Sequence, residues 1–168
     1  MLGNGFQPLR GTASIMTSIE KLNELISGID IAMLTSVHAA GQLHSRPMAT
    51  QAVSDDGFLW FFARQHSSKI DEIRNVHQVN VAYSDPVNMR FVSVSGPCEL
   101  LRNRAIAAAL WKPEYKRWFP QGMEDPDLIL LKVTINSAEY WDTTAGRMRS
   151  LESEDNTVVL RDERTEVA

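Results

Sequence analysis

An α+β fold dominated by antiparallel sheet, curled into a small barrel that is closed or nearly so, is what this sequence predicts. Two observations carry that expectation. About six runs of strand length, apolar throughout or alternating with period two, follow one another along the chain. Most are joined by tight turns, which pairs neighbours antiparallel, and only about two to four short helical patterns interrupt them. A sheet of that size leaves exposed edges unless it closes on itself. At 168 residues and 43% hydrophobic composition the chain can build one domain with a real core.

Residues 1–15 read as a loose lead-in, 16–148 as the domain and 149–168 as an acidic tail. TSIEKLNELISG, residues 17–28, is a helix. Thr17 and Glu20 stand in capping-box spacing, Ile19, Leu22, Ile26 and Ile29 recur at helical intervals, and Gly28 stops it. IAMLTSVHA is a mostly buried strand, and the short AAGQ gap folds it back as a hairpin into LHSRPMATQAV. Asp56-Gly57 marks the next tight turn, into FLWFFAR. SSKIDEIRNV is a helix capped by Ser67 or Ser68, with Ile70, Ile73 and Val76 every three residues. VNVAYSD alternates Val79, Val81 and Tyr83 on one face, and RFVSVSGPCELL follows Asp85-Pro86 as a longer strand. RNRAIAAALW is a short Ala-rich helix ended by Pro113, with the aromatic loop EYKRWFPQGMEDP after it. LILLKVTI and AEYWDTT complete the body as one long strand or two.

The net charge of −4 is unevenly placed: residues 150–168 hold six acids and two bases, leaving fifteen of each before them. That balanced body argues against bulk attraction to nucleic acid or anionic membranes, so any anion site must be local. Cys98 is the single cysteine, which excludes an internal disulfide and a Cys-based structural zinc site and suits a reducing cytosol. No stretch approaches the roughly 18 apolar residues of a membrane span, and MLGNGFQPLRGTASIM lacks a signal-peptide core. A soluble cytoplasmic protein is expected.

No standard catalytic motif is present. His38, His44, His66 and His77 show no metal-ligand spacing, and G-x-S-x-G, G-x-G-x-x-G and the P-loop are all missing. One constellation stands out in FFARQHSSKIDEI. Ser67 and Ser68 lie at a helix start, where unpaired N–H groups favour an anion, and Lys69 sits in the first turn, where the helix dipole disfavours a cation. A phosphate there would explain that placement. Arg64 is close in sequence, and Arg46 lies on the strand expected alongside. The plainer alternative is ordinary serine capping, a solvated lysine and an Arg46 paired with an acid on a neighbouring strand. Pro47 beside Arg46 is tolerable where a strand faces a cleft and not a neighbour. Trp111, Trp118, Phe119, Tyr140 and Trp141 gather in the last third. Trp118 and Phe119, in a loop between prolines, suit either a lid over a flat ligand or the cap of one barrel end.

The succession GQLHSRPM, DDGFLWFFARQHSSK, VNVAYSDP, SVSGPCEL, LWKPEYKRWFPQG and AEYWD resembles the general stress protein branch of the pyridoxamine 5′-phosphate oxidase-like, FMN-binding split-barrel family, over about residues 17–146. The resemblance implies a six-stranded antiparallel split barrel with short peripheral helices. It also implies a homodimer holding FMN, with FAD as an alternative, in clefts between protomers. Arg46, Pro47, Met48 and Ala49 would lie along the ring and ribityl chain, and Phe61, Phe62 and Ala63 would line the cleft with backbone groups. Ser67, Ser68 and Lys69 would hold the phosphate. Trp111, Trp118, Phe119 and Trp141 would come from the partner or close over the ring. Two departures stand out. Ala63-Arg64 occupies the place of a phosphate-binding threonine common in the family, and the Arg-Leu-x-Pro ending of true pyridoxamine 5′-phosphate oxidases is replaced by an acidic one, so that activity is not expected. The resemblance implies a flavin-dependent oxidoreductase of unassigned substrate, with NAD(P)H or another small redox partner. A flavin sensor or store without turnover, and a split barrel using haem or deazaflavin, are the competing readings. His44, His66 and Glu114 are the only acid–base candidates, and none is singled out.

Overall fold

The computed structural model describes residues 18–151. Thr17 of the expected capping box, the lead-in and the tail from residue 152 onward lie outside the described residues. In chain order the elements are α1 (Ser18–Ile26), β1 (Ile31–Val37), β2 (Leu43–Ala49), β3 (Phe58–Arg64), α2 (Ser68–Asn75), β4 (Gln78–Asp85), β5 (Arg90–Leu101), α3 (Arg104–Leu110), β6 (Leu128–Thr134), β7 (Ser137–Asp142) and β8 (Arg147–Ser150). Single-turn 3-10 helices at Pro113–Arg117 and Gly122–Glu124 shape the connection between α3 and β6.

The strands pair antiparallel in the order β2-β1-β4-β5-β6-β3, with β7 on β5 and β8 on β7. The fold is thus the expected α+β split barrel, enlarged by a hairpin. AEYWDTT is a strand of its own, and Arg147–Ser150 folds back on it, with Arg149 paired to Asp142 at 2.9 Å. This hairpin carries ordered chain past residue 148, and the Leu151 amide closes it on the Ala138 carbonyl at 2.8 Å.

Why LILLKVTI and AEYWDTT divide is visible in the register on β5. Cys98 stands opposite Val133, but Ser95 stands opposite Ser137, so the β6–β7 side carries one residue more than β5. That extra residue is a bulge, and it turns the chain from one sheet into the other. Gly96 of β5 lies against the bulge. A Cβ there would fall 1.7 Å from the Thr134 carbonyl oxygen, so only glycine lets the two backbones approach this closely.

The barrel interior is filled by strand residues that alternate inward. Leu34, Leu59, Phe61, Val81, Val94, Leu131 and Val133 are all essentially inaccessible. Each contributes about 1.5–3 kcal/mol by leaving water. Leu22 and Ile26 of α1 and Ile70 and Ile73 of α2 join the same core, which fixes both helices on the barrel. On the outer face of β3 and β6, Trp60, Leu130 and Ala107 of α3 form a smaller cluster. No helix among the described residues is long and apolar enough to cross a membrane.

β2 and β3 are the two ends of the strand order and share no ladder. That opening is the split in the barrel. It leaves β2 as an edge strand, which is where the sheet can tolerate Pro47.

Candidate functional site

A cavity of about 320 Å³ occupies the split between β2 and β3, at the small end of the range for ligand cavities. Pro47, Met48 and Ala49 form one wall, Phe62, Ala63 and Arg64 the other, and Lys69 stands at the start of α2. Tyr115, Trp118 and Phe119 of the aromatic loop close it, and Ile31 reaches it from β1, opposite Ala49 in the hairpin register. Eight of the residues expected in the site therefore meet here: Pro47, Met48, Ala49, Phe62, Ala63, Lys69, Trp118 and Phe119.

Six others do not line this cavity. Phe61 points the opposite way from Phe62, into the barrel core. Trp111 stands behind the wall, edge-on to Phe62 with centroids 5.7 Å apart. Trp141 lies on β7 opposite Met148, away from the split. Ser67 is the N-cap of α2 but makes no capping bond, because its hydroxyl donates to the Arg64 carbonyl at 2.7 Å. Ser68 is exposed, its Oγ 3.4 Å from Arg46 Nη2.

Arg46 is turned onto α2. Its Nη2 donates to both oxygens of Glu72, at 2.9 and 2.8 Å, and its Nη1 donates to Ser36 Oγ at 2.7 Å. Glu72, only 4% exposed, also accepts from His44 Nδ1 at 2.8 Å and Ser36 Oγ at 2.5 Å. Burial pushes its carboxyl up, but the bonds from Ser36, His44 and Arg46 outweigh that and hold it at about 2. His44 is thereby tied into the network, while His66 and Glu114 are exposed.

Lys69 is in the opposite situation. It has no carboxylate partner among the described residues, and its ammonium is held below the ordinary lysine range by burial and by the Arg46 charge beside it. A cation without a counter-ion, beside a second cation and at a helix start whose serine does not cap it, is an arrangement that an anion would relieve. The cavity wall carries two cations, Arg64 and Lys69, and no acid.

The aromatic loop is both cap and wall. Tyr115 and Phe119 pack on Phe62 with centroids 5.3 and 6.5 Å apart, and they line the cavity at the same time. Tyr115 is buried, with its hydroxyl bonded to the buried amide of Gln51. Trp118 is partly exposed, with Arg117 stacked 3.8 Å over its ring. The site thus joins an anion-attracting end to an apolar slot with aromatic walls. No group of His, Cys, Asp or Glu able to hold a metal occurs among the described residues. A larger groove of about 740 Å³, over the edge of β5 between Arg74, His77 and Arg102, contains none of the expected site residues.

Ile31 and Tyr115 were absent from the sequence-level site. Hairpin register would have pointed to Ile31 as the neighbour of Ala49, and Tyr115 stands three residues before Trp118 and four before Phe119.

Comparison with known proteins places this geometry among relatives. Residues 17–160 match the family model described as pyridoxamine 5′-phosphate oxidase like. Protein bli-3 of Neurospora crassa is 27% identical over 134 residues, which cover 72% of this chain and 64% of that protein. The chain therefore spans about two thirds of the length of the curated relative it matches. A protein related to general stress protein 26 from Clostridium acetobutylicum superposes with a TM-score of 0.69 at 18% identity, over 80% of this chain and 93% of that one. The general stress FMN/FAD binding protein of Xanthomonas citri gives 0.62 at 23% identity, over 91% of this chain and 98% of that one.

Proposed function

The chain belongs to the pyridoxamine 5′-phosphate oxidase-like family, and from that premise we propose that it binds a flavin between β2 and β3. FMN is the first choice and FAD the alternative, in a cytoplasmic homodimer that serves as a flavin-dependent oxidoreductase. The observation that carries this reading is Lys69, a partly buried cation with no carboxylate partner among the described residues, set beside Arg46 at the end of an apolar, aromatic-walled slot. A phosphomonoester at Lys69 and a flat ring against Pro47–Ala49 and Phe62–Ala63 satisfy both halves of that slot.

The bound flavin would supply the redox chemistry. The protein's part is to hold the phosphate through Lys69 and the first amides of α2, and to orient the ring between the strand walls. Tyr115, Trp118 and Phe119 exclude water from one side. The homodimer draws support from the apolar outer face of the β1–β2 hairpin, where Ile31 and Met33 are 47% and 41% exposed and Leu43 more so. Because Ile31 also lines the cavity, a second chain seated on that face would adjoin the ligand.

The purified protein is expected to be yellow, with flavin absorbance bands and FMN identified by mass after release. A colourless protein that takes up no flavin, or one with a Soret band, would overturn the reading. Lys69→Ala should loosen FMN by roughly 1.5–3 kcal/mol, the range of a charge-assisted hydrogen bond. Unchanged affinity would remove Lys69 from the site. Sedimentation should return twice the chain mass of 18.9 kDa, and a single-chain mass would count against the dimer.

A further inference from the structure

We propose that Arg64 is the specificity-determining residue of this site: it selects a phosphorylated ligand over its unphosphorylated form and fastens the aromatic loop to that phosphate. The proposal rests on the flavin reading above.

Arg64 is the last residue of β3, held opposite Leu128 of β6, and its carbonyl is fixed by the Ser67 hydroxyl. Its side chain leaves a rigid base and lines the same cavity as Lys69. It is 53% exposed and lightly held. One amine donates to the Trp118 carbonyl, the guanidinium carbon lies 5.8 Å from the Phe119 ring centroid, and Asp127 Oδ2 is 3.6 Å away, too far for a hydrogen bond. A guanidinium has five N–H donors. The Trp118 carbonyl is its single hydrogen-bond acceptor among the described residues, so the rest of the fork is available to a ligand.

Arg46 offers the contrast. Glu72 neutralises it and, with Ser36, takes most of its donors. The cations with donors to spare at the cavity are therefore Arg64 and Lys69, and two such charges match a phosphomonoester dianion. A planar fork can bind two phosphate oxygens while its other amine keeps the Trp118 carbonyl. Occupancy of the phosphate subsite would thus hold the loop that carries Trp118 and Phe119 over the ring. Riboflavin, which lacks the phosphate, gains nothing from this clasp.

The test is titration of FMN and riboflavin into the cofactor-free full chain, followed by flavin fluorescence, with melting temperature as a control on folding. Arg64→Ala is expected to weaken FMN by about 10–100-fold and riboflavin by less than about 2-fold, with Arg64→Lys between wild type and alanine for FMN. Asp127→Asn removes the competing carboxylate and should tighten FMN by about 2–5-fold. Equal weakening of both flavins would reduce Arg64 to a loop anchor and overturn the proposal, as would an unchanged FMN affinity. Should the alanine variant not fold, the lysine and Asp127 variants decide, and FMN affinities equal to wild type in both would also overturn it. A wild-type protein that binds riboflavin as tightly as FMN would sink the phosphate reading itself. Wild-type preference for FMN retained in full by the Arg64 variants would sink this inference alone.

Discussion

Gly96→Ala is expected to abolish the soluble fold or to cost more than about 4 kcal/mol, at the upper extreme for single substitutions. The added carbon would stand 1.7 Å from the Thr134 carbonyl oxygen and 2.9 Å from its carbon, both backbone atoms. Neither can swing aside, because Thr134 ends β6 and the next two residues form the bulge on which β7 depends. The Asn136 amide, bonded to the Ser95 carbonyl at 3.0 Å, holds the chain in place from the other side. Gly28→Ala is the useful contrast. Gly28 has φ +76 but nothing within 4 Å of its would-be Cβ, so the cost there is left-handed backbone strain alone, about 1–2 kcal/mol. Urea denaturation of both variants should separate the two causes. Equal and modest losses at both positions would show that the bulge yields more than its packing indicates.

Glu72→Gln should cost about 3 kcal/mol at neutral pH, the lower end for breaking a buried ion pair, because the Arg46 side chain keeps 21% exposure and some of its hydration. The pH dependence identifies the cause. The Glu72 carboxyl is held at about 2 in the fold against an ordinary 4.5, so between those values the unfolded chain binds the proton and the folded protein does not. Its contribution is therefore present in full above about pH 4.5 and is lost as pH falls toward 2. Denaturation midpoints for wild type and variant should stand well apart at pH 7 and draw together by pH 3. A gap that is constant with pH would mean that Glu72 stabilises by shape and not by charge.

This ion pair also shows where sequence reasoning reached its limit. In SSKIDEIRNV the pattern of Ile70 and Ile73 places α2 correctly against the core, but Glu72 reads as one of several polar residues on a solvated face. It becomes a buried counter-ion because β1 and β2 bring Ser36, His44 and Arg46 to it, and contacts across 26 to 36 residues leave no local periodicity. The alternative that Arg46 pairs with an acid on a neighbouring strand was right about the pairing and wrong about the place, since the acid, Glu72, lies on α2. Phe61 shows a related limit. FLWFFAR is apolar on both faces, so its alternation does not say which of Phe61 and Phe62 faces the cleft. The hairpin of β1 and β2 and the Asp56-Gly57 turn were legible because short-range turn residues set them, and α2 because Ile70 and Ile73 recur at helical spacing, although Ser67 at its start makes no capping bond. The bulge at Ile135 and Asn136 was not, since it is fixed by the approach of Gly96 some 40 residues earlier.

The pairing of β3 with β6, Phe62 opposite Leu130, has a consequence for how the protein comes into being. β2 and the wall residues of β3 leave the ribosome early, but β3 has no neighbouring strand until β6 is made. For the time it takes to synthesise residues 65–134, the hydrophobic run FLWFFAR must wait without its partner. At about 5–20 residues per second that interval lasts several seconds. The cavity wall built on β3 therefore gains its supporting strand only once residue 134 has been made, and a ligand can act on that wall only from then on.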